Sequence, residues 1–161
     1  MVVSENTLKW AMRFYPPLLF QRIWLQRVEP GFTGLSVRIN KSWLNKNYNN
    51  SIFGGTIFAA ADPFYPVLFH QLFSHKGYKV IAWLKSSAIQ YLKPARTDLT
   101  FSVRLLKGDI ELVEHNLKHY GKHVKHYYID MYDTNNELCV SITNEIYLRD
   151  LNFVFEKEAA K

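Results

Sequence analysis

The residue types best suited to chemistry lie between Asn47 and Asp62, in the run Asn-Tyr-Asn-Asn-Ser-Ile-Phe-Gly-Gly-Thr-Ile-Phe-Ala-Ala-Ala-Asp. A polar, Asn-rich loop leads into Gly54-Gly55, where an almost wholly apolar helix is expected to begin. Backbone N–H groups at a helix start have no intrahelical acceptor, so they suit an anion or a developing oxyanion. Asp62 is the only charge on the first half of that helix. A carboxylate in apolar surroundings is costly unless it is satisfied or used. An oxyanion donor beside a carboxylate base is the equipment of acyl-group chemistry.

Several elements must position these residues. Leu8 to Val28 has helical spacing, interrupted at Pro16-Pro17, with Trp10, Phe14, Leu18, Ile23 and Leu25 as a possible apolar face and Arg13, Arg22 and Arg27 outside. Leu35, Val37 and Ile39 alternate with polar residues, as in a strand. Gly55 to Phe73 reads as one helix, about 30 Å long if unbroken. From Tyr78 the period becomes two. Val80, Ala82, Leu84 and Ala88 fall on one side of a long strand, and Ile81, Trp83, Ile89 and Tyr91 on the other, up to Pro94. Leu99 to Leu105 is a further strand, and Asp109 to Tyr120 a short helix closed by Gly121. Val124 to Tyr132 and Leu138 to Leu148 are strands joined by the turn residues 133–136, the last presenting Leu138, Val140, Ile142, Ile146 and Leu148 on one face. Glu156 to Lys161 reads as a frayed tail. The result is an α+β domain over 1–161: an N-terminal helical extension over 1–30, then a curved antiparallel sheet wrapped around its one long apolar helix.

Composition narrows the function classes. The 161 residues suffice for one domain with a real core, and 48% hydrophobic content excludes a disordered chain. The net charge of +6 favours anionic partners without choosing among nucleotides, nucleic acid and membrane surface. Cys139 is the single cysteine, so no internal disulfide and no thiolate metal cluster can form. Residues 1–6 lack the features of a signal peptide, and the apolar stretch 52–73 is interrupted by Asp62, Pro63, Pro66 and His70. A cytoplasmic protein with no membrane span is the expectation.

The segment Asn47…Phe53-Gly54-Gly55…Asp62 resembles the active-site motif of hotdog-fold thioesterases of the phenylacetyl-CoA type. That motif sets an asparagine before a His-Gly-Gly triplet, with an acidic residue seven positions after the second glycine. Asn47, Gly54, Gly55 and Asp62 take the matching positions. Phe53 stands where the motif has histidine, and Asn50 where its loop has glycine. The run 54–65, together with Ala82-Trp83-Leu84-Lys85 and Tyr91-Leu92-Lys93-Pro94-Ala95-Arg96, is similar to an uncharacterised bacterial branch of the same superfamily. The resemblance implies a hotdog fold and an acyl-CoA thioesterase-like activity. It requires no cofactor beyond the coenzyme A portion of the substrate. It also implies a homodimer, or a tetramer built from two.

On that footing Asp62 is the candidate base or nucleophile, Gly55 N–H the oxyanion donor, and Asn47 a polar contact orienting water or thioester. Gly54, Phe53 and Phe58 would lie against the acyl group, with Ile57 and Phe64 adding apolar lining. Lys93 and Arg96, with Arg104 and Lys107 as further candidates, could meet the anionic end of coenzyme A. Each residue also has a plain structural reading. The two glycines could serve a tight turn or close packing, Asn47 its own loop, and the cations solvent. Asp62-Pro63 also fits a helix N-cap followed by proline. Geometry adds a constraint: Gly55 and Asp62 are two turns apart, about 10 Å along a helix axis, so one carbonyl cannot touch both. A second copy of the chain must bring its own helix alongside.

Other signals compete weakly. His115, His119, His123 and His126 sit among Lys118, Lys122 and Lys125, which would repel a metal, so they read as a surface cluster. The Lys, His and Tyr residues of 120–128 come with no nucleic-acid-binding motif, so nucleic acid is not an expected partner. Ser86, Ser87 and Cys139 lie outside any elbow motif and read as strand residues. An acyl-thioester binding protein without turnover is the alternative function, since Phe53 removes a polar group, and a nucleic-acid-binding module using the basic face is a weaker one.

Overall fold

The computed structural model describes residues 2–154. Two short helices, α1 (Glu5–Phe14) and α2 (Pro16–Phe20), precede strands β1 (Ile23–Val28) and β2 (Gly34–Ile39). Helices α3 (Gly54–Ala61) and α4 (Phe64–His75) follow, then β3 (Val80–Tyr91) and β4 (Leu99–Arg104). Helix α5 (Lys107–Tyr120) leads into β5 (Lys122–Tyr132) and β6 (Leu138–Asp150). The strands form one antiparallel, curved sheet in the order β1-β2-β4-β5-β6-β3. This is the hotdog arrangement expected from the sequence.

The sheet needs a cover for its apolar face, and α3 and α4 supply it. Phe64, Leu68, Phe69 and Phe73 of α4 are fully buried, as are Leu25, Val37, Leu99, Met131 and Ile146 of the strands. Phe64 meets Phe101 edge-on at 5.9 Å, and Tyr65 lies 4.9 Å from Tyr127. Burying one such aromatic is worth roughly 1.5–3 kcal/mol.

Three sequence expectations are corrected. The helix expected over Gly55–Phe73 is two helices, because Pro63 and Pro66 cannot donate to the carbonyls of Ala59 and Asp62. The backbone at Asp62 and Pro63 nevertheless stays in the right-handed helical region. Helical spacing across Leu8–Val28 holds only to Phe20. Ile23 and Leu25 are buried as alternating residues of edge strand β1, while Trp10 and Phe14 are exposed. The third correction concerns β3. A bulge between Leu84 and Ser86 shifts its phase, so Ile89 joins Ala82 and Leu84 on the core side and Ala88 is exposed. The expected tail over 156–161 lies outside the described residues.

Two features shape the sheet's edges. Among the described residues strand β3 pairs only with β6, and no described strand covers its other edge. Between β4 and β5 the only registered pair is Thr100↔Tyr132. Helix α5 packs against β5 beyond that point, burying Val113 and Leu117. It ends at Gly121, whose φ of 68° is the left-handed cap expected there.

Candidate functional site

Gly54 and Gly55 are the first two residues of α3, and the Phe53 carbonyl accepts from the N–H groups of Thr56 and Ile57 at 3.0 and 3.2 Å. Both glycines sit beneath aromatic rings. A Cβ on Gly54 would stand 2.9 Å from the Tyr91 hydroxyl, which donates to the Gly54 carbonyl at 3.2 Å. A Cβ on Gly55 would stand 2.3 Å from the Phe53 ring. A side chain at either position would have to displace an exposed ring, Tyr91 over Gly54 or Phe53 over Gly55. Phe53, itself exposed, lies against the Gly55 Cα.

Asp62 follows α3 directly. Its carboxylate has no hydrogen bond or ion pair among the described residues, and its N–H donates to the Phe58 carbonyl at 3.1 Å. It does not cap α4. That helix takes Pro63 as N-cap without any side-chain bond, so the capping alternative is set aside. Asp62 remains open to solvent in the single chain, yet the protein around it removes enough water to raise its pKa. Gly55, Phe58 and the C-cap Asp62 are exposed, while Thr56, Ile57, Ala60 and Ala61 of the same helix are buried, and the spacing of the three places them on one stripe.

A relay holds the carbonyl just before Asp62. Fully buried Asn144 donates from Nδ2 to the Ala61 carbonyl at 2.9 Å, and Ser87 Oγ donates to Asn144 Oδ1 at 2.7 Å. Sequence reasoning missed this pair. The signal was present: Asn144 fills the gap in the inward-facing series Leu138, Val140, Ile142, Ile146, Leu148.

Asn47, Gly54 and Lys93 come together in a cleft of about 330 Å³, with Ile57, Tyr91 and Pro94 as apolar lining. Asn47 is committed locally: its Nδ2 donates to Ser51 Oγ at 2.9 Å, and its Oδ1 accepts from the Ser51 N–H at 3.1 Å. Lys93 pairs with Glu137 at 2.9 Å, and that carboxylate raises its pKa. Phe53, Gly55, Phe58 and Asp62 lie outside the cleft lining, as does exposed Arg96. Arg104 faces a separate depression near Glu29, and Lys107 stands 3.8 Å from Glu111. A larger opening, about 460 Å³, lies where β4 and β5 part; none of the predicted site residues lines it.

The histidine cluster separates. His115 and His119 stack at 4.2 Å, but His123 is buried, within 2.9 Å of Asn116 Nδ2 and 3.3 Å of the Tyr127 hydroxyl. It is not a surface residue, because β5 turns its side chain in under α5. Burial, and then Lys125, depress its pKa. No group of three metal-binding side chains occurs among the described residues.

A family model described as a domain of unknown function (DUF4442) matches residues 4–148. The chain belongs to that family. No curated protein matches it in sequence. Among solved structures, it is similar to a Pseudomonas aeruginosa protein of unknown function designated a probable thioesterase, at 18% identity and a TM-score of 0.82, over 93% of this chain and 98% of that one. A Haemophilus influenzae thioesterase aligns at 11% identity and a TM-score of 0.68, over 95% of each chain. The PaaI protein of the Escherichia coli phenylacetic acid degradation operon aligns at 15% identity and a TM-score of 0.62, over 92% and 97%. At these identities the likeness establishes the shared hotdog fold. No helix among the described residues is long and apolar enough to cross a membrane.

Proposed function

We propose that this DUF4442 protein is an acyl-CoA thioesterase-like hydrolase whose site forms between two copies. One observation carries the reading: Gly55, Phe58 and Asp62 share one exposed stripe along α3 and its C-cap, and no described strand covers the outer edge of β3. An amide donor and a carboxylate two turns apart cannot serve one carbonyl within a chain. A two-fold partner would bring the Asp62 of one copy to the Gly55 end of the other.

Water attacks the thioester carbonyl, Asp62 takes its proton, and the Gly55 N–H holds the oxyanion. The C–S bond then breaks as Asp62 returns the proton to the departing sulfur, releasing a carboxylic acid and the thiol of coenzyme A. An oxyanion donor is worth roughly 3–4 kcal/mol and a general base about 10²–10⁴ in rate. Asn47 would orient the water once released from Ser51. Gly54 and Phe58 would line the acyl path, and Lys93 and Arg96 would meet the phosphates. No further cofactor is needed, and the substrate would be met in the cytoplasm. Dimers could pair into a tetramer.

A second reading has its own support. Phe53 stands where the thioesterase motif that this segment resembles has histidine, and its ring lies against Gly55, so the protein could hold an acyl thioester without turning it over. A hydrolysis panel across acyl-CoA chain lengths, wild type against Asp62→Asn, decides between them. Turnover lost in the variant supports the hydrolase. Equal binding without turnover in both supports the binding protein. A monomer by sedimentation velocity refutes the shared site.

A further inference from the structure

The charge of this chain is unevenly placed. Residues 6–28 contain Lys9, Arg13, Arg22 and Arg27, residues 40–61 contain Lys41 and Lys46, and neither segment has a single carboxylate. Those six cations equal the whole formal net charge of +6; elsewhere fourteen basic residues balance fourteen acidic ones. Among the described residues, only Arg27 of the six is ion-paired, to Glu29 at 3.3 Å.

The two segments touch. Asn45 Nδ2 donates to the Gln21 carbonyl at 2.8 Å, and the Asn40 N–H to the Arg22 carbonyl at 2.9 Å. Between them they also expose much of the chain's large apolar surface. Trp10 and Phe14 stack at 6.0 Å on α1, with Lys9 and Arg13 over the Trp10 ring. Phe20 is 68% exposed at the end of α2, Trp43 80% and Tyr48 98% on the loop before α3, with Leu44 between them. Rings this exposed touch little of their own fold. They suit insertion into a deformable medium better than a shaped protein pocket.

We infer that this face, formed by residues 6–20 of α1 and α2 and by the loop 41–48, with Glu5 at its margin, docks the protein on an anionic lipid surface. Aromatic side chains favour the headgroup level of a bilayer, and lysine and arginine add attraction to anionic lipid. The inference is independent of the proposed hydrolysis, and its assay needs no turnover.

Flotation of the full chain with vesicles tests it. Vesicles of phosphatidylcholine with one third phosphatidylglycerol should carry the protein, and phosphatidylcholine alone should not. Binding should weaken with salt. Each cation near the surface contributes about fivefold, so Lys41→Ala with Lys46→Ala should lower partitioning about twenty-fivefold. Trp43→Ser with Tyr48→Ser should weaken it further at unchanged circular dichroism, since neither ring supports the core. Absence of vesicle binding overturns the inference, as does equal binding to neutral vesicles. So does conversion of the Trp43/Tyr48 variant to a smaller oligomer, which would make the face a contact between copies. Preferred binding of a single-stranded oligonucleotide, abolished by the same variant, would likewise overturn it.

Discussion

Replacing Asn144 with alanine should destabilise the fold and slow any chemistry that depends on Asp62. Asn144 is fully buried in β6 and bridges Ser87 to the Ala61 carbonyl, at the break between α3 and α4. Without its amide, the Ala61 carbonyl and the Ser87 hydroxyl both lose a buried partner. The buried Ala61 carbonyl left unsatisfied costs about 1–3 kcal/mol, the half-buried Ser87 hydroxyl can turn to water, and the small cavity left behind adds about 1 kcal/mol. A total of roughly 2–4 kcal/mol corresponds to a fall in melting temperature of about 5–15 °C for a domain of this size. Ser87→Ala should cost about 1 kcal/mol, because only Asn144 Oδ1 is stranded. The double variant should fall well short of the sum, since the two side chains share one bond. Urea or thermal unfolding of the four proteins measures this cycle. A melting temperature for Asn144→Ala within about 1 °C of wild type would refute the relay as the support of the helix break.

Acid should destabilise the protein through His123. Burial holds its folded pKa below the ordinary value, so the unfolded chain takes up a proton that the native state refuses. That penalty is absent above the unfolded pKa and grows as pH falls through about 6.5. Urea midpoints from neutral pH downward should show the loss, and His123→Gln should flatten the slope; an unchanged slope would sink the argument. Gly121→Ala should cost about 1–3 kcal/mol, because φ is 68° there and an added Cβ would lie 2.3 Å from the Phe153 ring. A denaturation midpoint equal to wild type would contradict it. Asp62→Asn should behave oppositely in two assays. Since desolvation raises the Asp62 pKa, its ionised form is disfavoured in the fold, and the variant should melt higher at neutral pH while losing turnover. The acid limb of the wild-type rate profile should lie above the ordinary aspartate range; a limb at or below that range would remove Asp62 as the base.

The strands were legible because alternation is a local signal. Leu99 to Leu105 and Leu138 to Leu148 declare their inward faces without reference to anything distant. The same holds for the Gly121 cap and for the candidate motif, whose glycines and single acid stand out from an apolar run. Two prolines at 63 and 66 already signalled a break, though not that the backbone would carry on in helical conformation through it. Partnership was not legible. Periodicity could not reveal the bulge that re-phases β3 or the pairing that makes 23–28 a strand, because both depend on the neighbouring strand. Nor could it reveal that Tyr91 and Phe53 lie over the two glycines, that Glu137 neutralises Lys93, or that Asn144 secures the helix break. Spacing along the chain sets which face a side chain occupies. What waits opposite that face is decided by closure of the sheet, which brings together residues as far apart as Ala61 and Asn144.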